Sequence, residues 1–236
     1  MLSLRNARIV TVGVDVAITS RIALDVRLRG GDLIETVNSP DGSTCLLLAD
    51  VSSKAAAAAA DVELLRRAFV DAVHAGRNPA DIMAGLNRVR FGALPRARAE
   101  TFAVALIVRL SARNRSLCYA SAGHDAALVV RAATHRHLAP TGPVIGVMSD
   151  AEFANGFVDF AADDLFLAAT DGFTECRRDS APFSQFGTAG IVRALRGMTR
   201  HSPHAACAVV GAAADEFSGR VYRDDASMVA MARTAW

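Results

Sequence analysis

Acidic residues recur in this chain at the edges of apolar, strand-like runs. Asp32 follows Gly30-Gly31, Asp50 follows Leu46 to Ala49, Asp171 follows the run LFLAAT, and the tandem Asp224-Asp225 precedes ASMVAMA. One such aspartate is ordinary, because Asp favours turns through hydrogen bonds to its own backbone. The repeated pattern, twice beside glycine, points to a shared task. Carboxylates gathered from strand ends can hold hard divalent cations such as Mg²⁺ or Mn²⁺, which take oxygen ligands and keep several waters. Without a cation, like charges brought together repel and take up protons. Spacing alone does not name a reaction.

The surrounding sequence must supply elements that position these residues. The first third reads as strands: RIVTVGVDVAI, IALDVRLRG, GGDLIETV and TCLLLADV, with Pro40, Asp41 and Gly42 as hairpin punctuation. Helix follows, with Val62, Leu65, Phe69 and Val73 on one stripe. Gly76 closes it, and Asn78-Pro79 opens a second helix with Asn as cap and Pro at the first helical position. Ile82, Leu86 and Val89 form its stripe, and the short connection AGRN predicts an antiparallel helix pair. TFAVALIVRL and RSLCYASAGH predict a hairpin, and AALVVRA with HRHLAP another. GPVIGVMSDAEF reads as a loop leading to an edge strand. A turn at Asp163-Asp164 precedes a buried strand that ends at Asp171. Helices over 188–196 and about 205–217 come next, then a last strand directly after Asp224-Asp225. No repeat or linker interrupts this order, which predicts a single domain over 1–236.

Composition narrows the classes. Hydrophobic residues make up 52% and charged residues 21% of 236 residues, a globular composition. A net charge of +2, with scattered arginines and Lys54 as the single lysine, argues against a nucleic-acid partner and against a two-metal nuclease. The 4 cysteines, Cys45, Cys118, Cys176 and Cys207, lack CxxC spacing, so a zinc knuckle is excluded and reduced, buried thiols are expected. Arg5, Asn6 and Arg8 interrupt any signal-type apolar stretch, and no run approaches the roughly 20 apolar residues a membrane span needs. A cytoplasmic protein with no membrane partner is expected. No GxSxG elbow offers a serine nucleophile.

Taken in order, RGGDLIE, LADVSSKAAAA, YASAGHDAALVVR, AATDGFTE and RDDASMVAMA resemble the motifs of the PPM-type metal-dependent protein phosphatases, in particular the bacterial SpoIIE-like branch that regulates sigma factors. Each motif alone is weak; the ordered set is specific and covers nearly the whole chain, which implies a motif-bearing core at about 9–233 and no separate sensor domain. The resemblance implies an α+β fold, a four-layer αββα sandwich of two mostly antiparallel sheets packed face to face with helices outside. It implies that Asp32, Asp50, the Val51 carbonyl, Asp171 and Asp224 hold metal, with Asp50 bridging two ions and Asp50 and Asp171 central to catalysis. Gly31, His124, Gly172 and Asp225 would support them. Asp225 stands where relatives carry Asn or Asp, which makes Asp224 the favoured ligand of the tandem. His124 would hold its hairpin turn by hydrogen bonds rather than transfer protons.

The activity so implied is hydrolysis of phosphoserine or phosphothreonine on a signalling protein, an anti-sigma-factor antagonist or a relative of one, by a water that Mn²⁺ or Mg²⁺ activates. The oligomeric state is not set by any of these features. One departure bears on activity. Ala49, Ser53 and Ala55 stand where the resembled family prefers glycine around the bridging aspartate. The alternative is therefore a weak or inactive pseudophosphatase that binds a partner through the Leu65/Phe69 helix region. The presence of every acidic position favours the enzyme.

Overall fold

The computed structural model describes residues 5–11, 13–21, 30–52, 56–93, 101–111, 115–132, 134–178, 181–198 and 202–234. The chain forms two compact units, one of Met1–Arg29, Ala126–His137 and Ala161–Trp236, the other of Gly30–Asp125 and Leu138–Phe160. Each is an antiparallel sheet with helices against one face, which makes the architecture α+β.

In the second unit the strands are β3 (Asp32–Asn38), β4 (Thr44–Val51), β5 (Ala103–Leu110), β6 (Ser116–Ala122) and β9 (Gly156–Asp159), in the order β3-β4-β5-β6-β9. Asp41 makes the β3–β4 turn by accepting from the Ser43 amide and hydroxyl, both at 3.0 Å. As period-two alternation requires, Cys45, Leu47, Ala49 and Val51 share one core with Leu65, Phe69 and Val73 of α1 (Ala56–His74) and Ile82, Met83 and Leu86 of α2 (Pro79–Ala93). Leu46 and Leu48 lie on the opposite face and are also buried. Leu65 and Phe69 are fully buried, so neither side chain is available to the partner that the pseudophosphatase alternative invokes.

Gly76 ends α1 in the left-handed conformation, φ +70°, and the Arg77 and Gly76 amides donate to the Ala72 and Val73 carbonyls. Asn78 caps α2 as expected, its Oδ1 accepting from the Asp81 amide at 3.0 Å. Asn78→Ala should cost about 1 kcal/mol of stability, read as a lower urea midpoint.

The expected Ile82/Leu86/Val89 stripe needs correction at its end. Val89 is exposed, and the buried face instead turns through Asn87 to Arg90. Arg90 is tolerated in the core because Nη1 donates to Asp61 of α1 at 3.2 Å and Nη2 to the Phe102 carbonyl at 3.2 Å. A hydrophobicity pattern cannot register a charge neutralised by a residue on another helix.

The first unit has a six-stranded sheet ordered β1-β2-β13-β10-β7-β8. Its strands are β1 (Arg5–Thr11), β2 (Val14–Arg21), β7 (Ala127–Arg131), β8 (Thr134–His137), β10 (Leu165–Ala169) and β13 (Ala226–Arg233). The run RIVTVGVDVAI is not one strand. It folds back at Gly13, φ +78°, to pair Thr11 with Val14. The expected strand IALDVRLRG falls mostly outside the described residues. Leu165, Leu167, Ala169, Met228 and Ala230 pack with Ile191 and Leu195 of α4 (Gly187–Leu195) and Ala206, Val210 and Ala214 of α5 (Pro203–Ser218). Two elements have no counterpart in the sequence reading: the short α3 (Asp171–Thr174) and the small hairpin of β11 (Arg177–Arg178) with β12 (Ala181–Gln185). No helix among the described residues is long and apolar enough to cross a membrane.

Candidate metal centre

The second unit carries Asp32, Asp50 and Val51. Register in the β3–β4 ladder puts Asp32 directly opposite Asp50, as Leu33 is opposite Ala49. Leu33 and Ala49 belong to the helix-side core, so both carboxylates belong to the other face. Like charges directly opposite on one face of a sheet are destabilising, which is the condition a bound cation would relieve.

The corner beyond Asp50 is tightly held. The Val51 amide donates to the Gly31 carbonyl at 3.1 Å, and the Ser52 amide donates to the Phe102 carbonyl at 2.9 Å. The Ser52 hydroxyl donates to that same carbonyl at 2.8 Å and accepts from the Phe102 amide at 2.8 Å. Ser53 and Ala55, two of the glycine replacements, lie outside the described residues; Ala49 is simply a small residue of the helix-side core.

Gly31 stands beside this pair. A Cβ there would stand 2.7 Å from Asp50 Oδ1 and 2.8 Å from the Val51 carbonyl oxygen. Two oxygens of the types that bind hard cations therefore flank a space that only glycine leaves open. Gly31→Ala should push both oxygens aside and weaken Mn²⁺ binding about tenfold, measurable by titration calorimetry.

The first unit carries Asp171 and Asp224. Contrary to the sequence reading, β10 stops at Ala169 and Asp171 opens α3. Thr170 pins that junction to the start of β13: its amide donates to the Ser227 carbonyl at 2.8 Å, and its hydroxyl accepts from the Ser227 amide at 2.9 Å. Gly172 lets the two segments meet, because a Cβ there would lie 2.1 Å from the Asp225 carbonyl oxygen.

Asp171, Asp224, Glu175, Arg177 and Arg223 line one cleft of about 230 Å³. Asp171 is open to solvent at its tip, yet the protein packed behind it raises its pKa, and the Asp224 and Glu175 charges raise it further. Burial likewise raises Asp224, against the opposing hydrogen bond from the Asp225 amide at 2.8 Å. Within the tandem it is Asp224 that shares the cleft with Asp171. Sequence reasoning singled out neither Arg177 nor Arg223: Arg177 reaches the cleft through the β11 hairpin absent from that reading, while Arg223 directly precedes Asp224 in the quoted motif and was within reach.

The structure thus brings Asp32 together with Asp50, and Asp171 together with Asp224. Among the described residues no set of three or more His, Cys, Asp or Glu side chains forms a ready cage. The donors fit a hard divalent cation: a like-charged carboxylate pair in each unit, with the Val51 carbonyl beside the pair in the second.

Other candidate chemistry is ruled out by environment. All four cysteines are free thiols. Burial pushes Cys45 and Cys207 up to about 12 and Cys118 and Cys176 up to about 11, so none offers a thiolate nucleophile. Burial drives His124 down to about 4 and leaves it a neutral imidazole. Neither ring nitrogen has a hydrogen-bond partner among the described residues. The turn is held instead by the His124 carbonyl, which accepts from the Ser121 hydroxyl at 3.2 Å. This corrects the expectation that the ring does so.

Comparison with known proteins bears on the family and the fold. A family profile described as Stage II sporulation protein E (SpoIIE) matches residues 40–234. Phosphoserine phosphatase RsbU of Bacillus subtilis (strain 168) is 24% identical over 161 residues, 67% of this chain and 47% of RsbU. The match therefore spans about half the length of that relative. The SiaA-PP2C domain of Pseudomonas aeruginosa superposes with a TM-score of 0.78 at 23% identity, covering 93% of this chain and 86% of that one. RsbX in complex with magnesium superposes with a TM-score of 0.70 at 11% identity, covering 99% and 100%. These likenesses establish the fold.

Proposed function

This chain belongs to the stage II sporulation protein E (SpoIIE) family, and on that premise we propose that it is a metal-dependent phosphatase acting on phosphoserine or phosphothreonine of a signalling protein. The observation that carries the reading is Asp32 facing Asp50 across a ladder, beside the space that Gly31 leaves open. The proposed ligands are Asp32, Asp50, the Val51 carbonyl, Asp171 and Asp224. Mn²⁺ or Mg²⁺, two ions in the full reading, would supply Lewis acidity that lowers the pKa of water and offsets phosphoryl charge.

The chain's own contribution is placement. The Val51 amide, tied to Gly31, fixes the direction of the neighbouring carbonyl corner, and the Ser52–Phe102 bonds keep it from relaxing. Asp171 and Asp224 would hold a cation in that cleft, and their raised pKa values would make its binding strengthen as pH rises. Arg177 and Arg223 bring positive charge to the same cleft, suited to an anionic substrate.

A phosphorylated anti-sigma-factor antagonist is the proposed substrate class, in a cytoplasmic setting, on the resemblance to the SpoIIE-like branch; RsbU, named a phosphoserine phosphatase, accords with a phosphoserine substrate. Purified protein should hydrolyse p-nitrophenyl phosphate with Mn²⁺ and lose that activity in EDTA. It should also release phosphate from phosphorylated antagonist proteins. Equal turnover with and without metal would overturn the mechanism.

A further inference from the structure

A buried ionic cluster in the first unit lies outside the proposed ligand set. Arg21, at the end of β2, donates Nε and Nη2 to the two carboxylate oxygens of Asp215 on α5, each at 3.1 Å. The Tyr222 hydroxyl donates to Asp215 Oδ1 at 2.7 Å. The guanidinium lies over the Phe173 ring at 5.9 Å, and Phe173 meets Tyr222 edge-on at 5.8 Å. Gly211 admits the guanidinium, since a Cβ there would be 2.9 Å from Arg21 Nη2. Nη1 is buried without a partner among the described residues.

A buried ion pair is weak evidence for stability, because desolvation offsets much of its attraction; its better-attested use is to fix a geometry. Here each member touches a segment that carries a proposed ligand. Phe173 is two residues after Asp171 on α3. Tyr222 is two residues before Asp224. Arg21 pairs in register with Ala226, the first residue of β13. The backbones of α3 and β13 already meet at Gly172 with no room for a methyl group, so a small shift of either changes the Asp171–Asp224 spacing.

We infer that Arg21, Asp215 and Tyr222 form a positioning brace that sets the spacing of Asp171 and Asp224, and with it the affinity of that pair for a divalent cation. The inference rests on the proposed metal-dependent activity. The brace touches neither metal nor substrate; it acts through Phe173 and the 222–226 segment.

The test is Mn²⁺ titration of the full chain, by calorimetry and by the free-Mn²⁺ electron paramagnetic resonance signal, beside kcat at saturating Mn²⁺. Tyr222→Phe, which removes one hydroxyl, and Arg21→Lys, which keeps charge but loses the fork, should each weaken Mn²⁺ binding about tenfold. Both should leave kcat at saturating Mn²⁺ within about twofold of wild type, whereas Asp215→Asn should weaken binding further. Asn78→Ala, a helix-cap loss in the other unit, controls for general destabilisation and should leave Mn²⁺ affinity unchanged. If wild type binds Mn²⁺ and a folded Tyr222→Phe binds it equally well, the brace is refuted and the metal reading stands. If wild type itself binds no Mn²⁺, the metal reading falls and takes the brace with it.

Discussion

Asp50→Ala will lower Mn²⁺-dependent hydrolysis of p-nitrophenyl phosphate by at least about 100-fold, beyond the 10–100-fold that loss of an outer-shell partner costs. The reason is placement as much as charge. Asp50 sits opposite Asp32 on a fully paired ladder, with its Oδ1 against the space beside Gly31, and no neighbouring side chain in β4 can replace it. The same substitution has a second, opposite consequence. Without metal the two facing carboxylates repel, so removing one offsets the loss of the contacts Asp50 makes. The metal-free variant should therefore melt within a few degrees of metal-free wild type, while the stabilisation that Mn²⁺ gives wild type shrinks or vanishes. Thermal melts with and without Mn²⁺, run beside the activity assay, check both halves. A folded variant that keeps full activity would remove Asp50 from the proposed ligand set, and one that unfolds would refute the repulsion argument.

What could be read in the sequence was mostly local. The α1 stripe, the Gly76 stop and the Asn78 cap depend on residues a few positions apart, and they stand in the structure as read. The facing of Asp32 and Asp50 was within reach, because register counted outward from the Pro40–Gly42 turn pairs them; the sequence reading did not make that count. Other features could not be read locally. Gly13 turns a run of β-branched residues into a hairpin, and nothing in alternation alone marks the fold-back. The α3 turn follows from Thr170 being fastened to Ser227, a partner 57 residues away. Arg90 and Arg21 are buried because their counter-charges, Asp61 and Asp215, come from elements 29 and 194 residues distant. Both arginines read as surface charge until the fold supplies the partner.

His124 supplies the second large effect, on stability rather than activity. Its imidazole is buried and both nitrogens lack partners among the described residues, so the folded chain resists protonating it, with its pKa driven from 6.5 to about 4. The unfolded chain binds that proton below about pH 6.5, and the folded chain only below about 4. The stability this group contributes is therefore complete above pH 6.5 and is lost as pH falls toward 4, reaching about 3 kcal/mol. At pH 5 the loss should be about 2 kcal/mol. Asp171 and Asp224 act in the opposite sense, because their raised pKa values make the metal-free folded chain hold protons that the unfolded chain has released. Wild type alone would show only the balance of these effects. The difference between wild type and His124→Leu cancels the aspartates and isolates the imidazole. Urea unfolding of both proteins at pH 7 and pH 5, in EDTA, should show the wild type losing about 2 kcal/mol more than the variant. Removal of two unsatisfied nitrogens should keep the variant at or near wild-type stability at pH 7. An identical pH response in both proteins would mean that the imidazole is hydrated or paired in solution, and a proton-transfer role for His124 would return to consideration.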